Sequence, residues 1–337
     1  MSKPLRFGAI GIDHRHIYGM AGSMIKAGAE FVGWWTDGHP PPEAGMIERF
    51  PDVARVDAAA RLLEDDSIDL ILLSGIPCDR AAWAIAAMEA GKDVMTDKPG
   101  CTSTEQLDAL KACLAQTGRI WSIDFSERFE VPCVTMAGDL VAQGAIGKVV
   151  QTLGLGPHRL NRPTRPEWFF DRASYGGIIT DIGSHQIDQF LFFTGSTDAE
   201  ITMAQVANYA NPDDPGLQDF GEVALRSDRA HGYFRLDWYT PDALPNWGDG
   251  RLTILGTEGY IELRKYVDVG NQGTDHLILA NGTRCEKIDA SGAALPYFDR
   301  LSHDIRTRSE TAMTQDHVFK VCELALKAQA MAEGARL

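Results

Sequence analysis

Three things are missing from this 337-residue chain, and each absence narrows what it can be. No segment reaches the roughly 20 apolar residues that span a bilayer, and residues 1–7 hold no apolar stretch of signal-peptide length, so a cytoplasmic protein without a membrane partner is expected. No basic run occurs. Lys and Arg number 32 against 47 Asp and Glu, a formal net charge of −15, and without clustered cations to meet phosphates a nucleic-acid partner is not expected. The six cysteines, Cys78, Cys101, Cys113, Cys133, Cys285 and Cys322, show no paired CxxC spacing, so neither a zinc site nor a disulfide framework is expected. Internal repeats and low-complexity tracts are absent too.

What is present is ordinary globular composition, 44% hydrophobic, and enough length for two packed domains. Residues 1–125 alternate short apolar runs with helix-period segments, the pattern of a parallel sheet covered by helices. Strands are expected over 5–10, 30–36, 53–56, 68–73, 94–96 and 119–123. Between the first two, Ile17, Met20, Ala21, Met24 and Ile25 share one helical face, and Gly28 follows as a stop. Further helices are expected over 79–90, before Gly91, and after Thr102, with Glu105 three residues on as a capping box. Beyond residue 125 the runs become β-like and turn-rich. Strands over 149–154, 201–208, 220–226, 232–239, 252–255, 260–263 and 276–280, with a hairpin signal at Asn281 and Gly282, predict an antiparallel sheet. A last amphipathic helix over 314–332 is expected to pack back on the body. The fold class is therefore α/β: an N-terminal Rossmann dinucleotide-binding domain (1–125), then an α+β domain (126–337) with a large, mostly antiparallel sheet.

Gly8, Gly11, Ile12, Asp13, His14 and His16 lie where a first strand turns into a first helix, the place where dinucleotide folds bring backbone N–H groups to a pyrophosphate. The glycine pattern is incomplete, because Asp13 and His16 stand where GxGxxG wants glycine. Asp13 reads equally as a helix N-cap, and His14 with Arg15 as phosphate contacts. The His-x-His pair raises a metal site, but no carboxylate or cysteine in the neighbouring sequence completes one, and no metal is expected. Asp37, 26 positions after Gly11, stands where a carboxylate accepts from the adenosine ribose hydroxyls, which favours NAD over NADP.

Two segments are more specific: an AGK turn leading to Asp97, Lys98 and Pro99, and the run Gly176, Gly177 through Asp181, Gly183 and His185. Together they resemble the glucose-fructose oxidoreductase, inositol dehydrogenase and rhizopine catabolism (Gfo/Idh/MocA) family, over essentially the whole chain. That resemblance implies a catalytic Lys98 from a Glu-Lys-Pro motif, here with Asp97 for Glu, and an Asp181 and His185 that face it. Asp97 and Lys98 would also border the cofactor. Hydride leaves a carbinol carbon only if the hydroxyl proton leaves too, so a base within hydrogen-bond reach is required. His185 is the expected base and Lys98 the polariser, with the roles open to exchange; Asp181, four residues before His185, orients the imidazole or binds a neighbouring hydroxyl. Pro77 resembles the family proline beside the nicotinamide, with Gly75 and Ile76 approaching it, while Arg80 stands where the family often has His.

The segment 158–171 carries Arg159, Arg162, Arg165 and Trp168, and Arg128 resembles a family segment near the pocket. An aromatic face suits a sugar ring and an Arg suits a carboxylate, while a packing loop is the equal alternative. The reading is an NAD-dependent dehydrogenase or reductase acting on a sugar, polyol or sugar acid. An NAD-using glycosidase and a non-catalytic nucleotide sensor are the alternatives. A homodimer or homotetramer is implied by the resemblance.

Overall fold

The structure, a computed structural model, describes residues 3–270 and 273–334; Met1 and the last residues of the 126–337 segment lie outside it. Contacts divide the chain into two units. The first comprises residues 1–124, 173–176 and 296–319, the second 125–172, 177–295 and 320–337. Residues 296–319, which a cut near 125 would give to the second domain, thus group with the first.

The first unit holds strands β1 (Arg6–Ile10), β2 (Glu30–Trp35), β3 (Leu70–Leu73), β4 (Asp93–Asp97) and β5 (Trp121–Asp124), all parallel, in the order β2-β1-β3-β4-β5. A parallel sheet covered on both faces needs apolar side chains on both, and Leu70, Ile71, Leu72 and Leu73 are all buried. The strand expected over 53–56 is reduced to a single bridge between Trp34 and Arg55, because only Trp34 N to Ala54 O (3.1 Å) and Val56 N to Trp34 O (2.9 Å) join it to β2. Counting that bridge, the order becomes that of a dinucleotide-binding sheet, reversing direction between β1 and β3. The helix Ile17–Lys26 buries Ile17, Met20, Ala21 and Met24, but Ile25 is 41% exposed and does not share the face. The helix Thr104–Thr117 is capped by Ser103, which accepts from Gln106 N (3.2 Å); the Thr102–Glu105 box is displaced by one residue, and Gln106 Oε1 accepts from Thr102 N (2.8 Å).

The second unit is built on strands β6 (Val149–Pro157), β7 (Glu200–Ala207), β8 (Phe220–Arg226), β9 (His231–Asp237), β10 (Arg251–Gly256), β11 (Gly259–Arg264), β12 (His276–Asn281) and β13 (Cys285–Asp289). They form one sheet, β13-β12-β11-β10-β6-β9-β8-β7, antiparallel except where β6 lies parallel to β9. The strand β13 was not expected. The hairpin before it closes through Asn281, whose side chain accepts from Thr283 N and Arg284 N (both 2.9 Å). Alternation puts Leu252, Ile254, Ile261 and Leu263 in the core with Val134 and Ala137 of the helix Pro132–Ala142, and leaves Leu153, Leu255 and Tyr260 more than 40% exposed on the other face. The last helix, Gln315–Ala332, begins among first-unit residues, with Phe319 stacked on Trp121 (centroids 5.6 Å), and continues in the second unit. Among the described residues no helix is long and apolar enough to cross a membrane.

Candidate active site

In the first unit, the loop after β1 is drawn onto the loop after β3. Gly11 N donates to Trp35 O (2.9 Å), Ser74 N to Gly11 O (3.1 Å) and His14 N to Ser74 O (2.9 Å). Gly11 has φ +71°, and a Cβ there would stand 2.8 Å from Gly75 Cα, so both the turn and the close approach require glycine. Gly11 and Gly75 thus stand where the sheet order reverses, the place such sheets use for ligands. Gly8 is not part of it: it lies inside β1, beneath Leu62. Ile12 turns its side chain into the core. Asp13 is not the helix cap, since the helix starts at Ile17 with His16 at its N-cap. The Asp13 carboxyl is half-buried beside Gly11 and Gly75, and burial pushes it up to about 6. Asp37 is exposed beyond the end of β2, where it accepts from Gly38 N (3.0 Å). Pro77 opens a short turn, Pro77–Asp79, that leads into the helix Arg80–Glu89, with Ile76 half-buried before it.

Asp97 ends β4 and Lys98 follows, 1% and 5% exposed. Arg80 fixes both. Its guanidinium, 1% exposed, donates to Gly75 O (2.9 Å), Asp97 O (3.0 Å), Lys98 O (2.5 Å) and Pro99 O (3.1 Å), and pairs with Asp97 Oδ2 (3.0 Å). Five bonds from one planar fork leave the Lys98 backbone little freedom. Asp97 also meets His14 Nδ1 (3.1 Å) and His16 Nδ1 (2.8 Å). A carboxylate does, then, stand beside the His-x-His pair; it comes from a distant strand rather than the neighbouring sequence. Burial works against the Asp97 charge, but His16, Arg80 and His14 outweigh it and hold the carboxyl well below its usual range.

In the second unit, Asp181 lies in a π-helical turn, Ile179–Gly183, and His185 in the first turn of the helix Ser184–Thr194, 2% exposed. Such widened turns recur at functional sites. Gly177 (φ +88°) precedes the turn, and a Cβ there would strike the side chain of Gln329, whose Oε1 accepts from Ile179 N (3.0 Å). Beneath the helix runs a buried network. Lys265 Nζ pairs with Glu127 Oε2 (2.7 Å) and donates to Gln189 Oε1 (2.8 Å); Gln186 Nε2 donates to Glu127 Oε2 (2.9 Å), and Gln189 Nε2 to His185 O (2.9 Å). Burial would raise the Glu127 carboxyl, but chiefly the Lys265 ammonium pulls it down to about 2.

The arginines expected to read substrate are engaged elsewhere. Arg128 makes a bidentate pair with the fully buried Asp188 (2.7 and 2.7 Å) and stacks on Phe129 and Phe192. Arg159 staples the 241–244 loop through Pro241 O (2.9 Å) and Leu244 O (2.6 Å). Arg165 donates to Leu160 O (2.8 Å) and Arg159 O (3.1 Å) and lies over Phe169 and Trp238. Arg162 pairs with Asp214. Trp168 is half-buried against Phe169. Sequence reading missed Glu127, Lys265 and the aromatic group of His158, Trp238, Trp247 and Tyr266, in which His158 stacks 4.6 Å from Trp247 and Trp247 lies 4.4 Å from Tyr266.

Residues 8–125 match the family described as an oxidoreductase family with an NAD-binding Rossmann fold, and residues 134–262 match the GFO/IDH/MocA C-terminal domain. A solved structure from Erwinia carotovora atroseptica SCRI1043, described as a candidate oxidoreductase, is 47% identical, with 98% of this chain and 99% of that one covered at a TM-score of 0.94. The chain belongs to the Gfo/Idh/MocA family.

Among curated members, the scyllo-inositol 2-dehydrogenase (NADP(+)) IolW of Bacillus subtilis (strain 168) is 25% identical over 74% of this chain and 64% of its own length. The scyllo-inositol 2-dehydrogenase (NAD(+)) of the same organism is 28% identical over 59% of this chain and 56% of its own. The chain thus spans less than two thirds of the length of these curated members of the Gfo/Idh/MocA family. The levoglucosan dehydrogenase solved with NADH and levoglucosan, at 18% identity and a TM-score of 0.72 over 99% of this chain and 92% of that one, shares the fold.

Proposed function

We propose that this member of the Gfo/Idh/MocA family is an NAD-dependent oxidoreductase acting between a hydroxyl and a carbonyl of a neutral sugar or polyol. The observation that carries this is Lys98, held at the end of β4 by Arg80, whose guanidinium also holds the carbonyl of Gly75 where the sheet order reverses. When bound, the nicotinamide supplies the hydride acceptor. Lys98 bonds the reacting oxygen, His185 takes the hydroxyl proton, and Asp181 orients the imidazole or a neighbouring hydroxyl. The names of the inositol and levoglucosan dehydrogenases support the substrate class, and the occupied guanidinium groups of Arg128, Arg159 and Arg165 favour a neutral substrate over a sugar acid. Asp37, exposed beyond β2, favours NAD, since a 2′-phosphate there meets a like charge. The exposed Leu153, Leu255 and Tyr260 support a homo-oligomer joined through the open face of the second sheet.

Calorimetric titration of the purified protein with NADH and NADPH, in chelator, tests the cofactor. Micromolar or tighter NADH binding with NADPH weaker is expected, followed by NADH production from neutral polyols in preference to sugar acids. Equal or tighter NADPH binding would remove the Asp37 role, and no binding by folded, cofactor-free protein would favour the sensor reading.

A further inference from the structure

Among the described residues, one place brings three metal-ligating side chains together: His14, His16 and Asp97, whose ligand atoms all lie within 4.8 Å of one another. Both imidazoles present the same atom, Nδ1, to one carboxylate, at 3.1 Å from Asp97 Oδ2 and 2.8 Å from Asp97 Oδ1. An ion bound about 2.0–2.1 Å from nitrogen and oxygen ligands separates adjacent ligands by about 2.9 Å in an octahedron and about 3.3 Å in a tetrahedron. The observed separations lie at or close to the octahedral edge. The competing contact is weak: the His16 N–H reaches His14 Nδ1 only at 3.4 Å, against 3.1 Å from that nitrogen to Asp97 Oδ2, and its single lone pair turns to a bound ion at the loss of that long hydrogen bond.

The carboxylate has room for this. Its two oxygens offer about four lone-pair directions, and Arg80 and Ser74 engage only Oδ2 (3.0 and 3.4 Å). The position is accessible, with the His14 and His16 side chains 22% and 36% exposed, while Asp97 behind them is 1% exposed. We propose that His14, His16 and Asp97 form a binding site for a divalent transition-metal ion, with two imidazoles and one carboxylate as protein ligands. That donor set suits zinc, iron(II) or cobalt(II) rather than the all-oxygen preference of magnesium or calcium. Three protein ligands leave coordination positions for oxygen donors from solvent or a small ligand. The Arg80 charge beside Oδ2 opposes a second cation, so affinity is expected in the micromolar range and not that of a closed structural zinc site.

The test needs no nucleotide, so it stands or falls separately from the cofactor reading. Chelator-washed protein is titrated with zinc chloride by calorimetry and with cobalt(II) by visible absorption. One ion per chain is expected, with a cobalt spectrum showing nitrogen ligation. His16→Ala, at a partly exposed position that should not disturb folding, should weaken zinc binding by at least roughly the 10–100-fold that loss of a mere supporting partner costs. His39→Ala, which removes the exposed His39–Glu43 pair in the same unit, should leave it unchanged. Absence of one-to-one binding, or binding that survives both His14→Ala and His16→Ala, would overturn the proposal and leave Asp97 as a hydrogen-bond acceptor for two imidazoles.

Discussion

A buried cation–carboxylate pair from each unit can be set side by side, and the two do different things. Arg80 and Asp97, both 1% exposed, lie 3.0 Å apart, and Lys265 and Glu127, 0% and 3% exposed, lie 2.7 Å apart. The Arg80 fork spends its other donors on the backbone around Lys98, and Asp97 reaches half-open histidines on its far side. The Lys265 pair is closed by Gln186 and Gln189, both on the helix that carries His185. A buried ion pair is weak evidence of anything by itself. What its remaining hydrogen bonds hold shows its use: the first fixes the backbone of the loop that carries Lys98, the second anchors the helix that carries His185.

The sharpest way to break that distinction is to unpair the closed site. Replacing Glu127 with Leu leaves the Lys265 ammonium buried without its counter-charge and should cost about 3–5 kcal/mol in urea unfolding. Adding Lys265→Met should restore most of the loss. A cost below about 1 kcal/mol for the single change would mean that water reaches Lys265. The pH dependence follows from the same pair. Folded Glu127 titrates near 2, below its unfolded value of 4.5, so its contribution is present above pH 4.5 and is lost as the pH falls toward 2. Acid unfolding of the double variant should therefore be shallower than wild type in that window.

Lys98→Met addresses the loop held by Arg80. Turnover should fall at least ~10²-fold, the low end for a group moving or polarising a proton, with the melting temperature little changed, because Arg80 holds this loop by its carbonyls and not by the Lys98 side chain. Near-normal turnover would remove Lys98 from the chemistry.

Much of this was legible in the sequence, and the reasons differ by element. The strands at Leu70–Leu73 and Phe220–Arg226 declare themselves because burial on both faces, or on alternate ones, is written into consecutive residues. The strand Cys285–Asp289 did not, because an edge strand of exposed polar residues has no apolar pattern to read. The segment around Arg55 has strand composition yet makes only a bridge, since pairing depends on β2 and not on its own propensity. Lys98, Asp181 and His185 could be put forward from sequence because each stands in a short local motif. The partners of the arginines were not legible, because a sequence shows a charge but not what it meets: Asp188 is 60 residues from Arg128, and the loop carbonyls that take Arg159 are more than 80 away. Asp97 meets His16 across 81 residues, a distance over which no spacing rule operates.

The smallest expected effect concerns the residue that makes the glycine loop atypical. Asp13 is half-buried against Gly11 and Gly75, and the charges of Asp79 and Asp37 add to the burial that raises its carboxyl to about 6. At pH 7.5 it is mainly ionised, so a diphosphate bound at these glycines meets a negative charge there. Asp13→Asn keeps the shape and removes that repulsion. NADH affinity in chelator should tighten by up to about tenfold, roughly 1.4 kcal/mol. Weaker binding would instead mean that the Asp13 carboxylate accepts hydrogen bonds from the bound ligand, and would turn the departure from the glycine pattern into a contact.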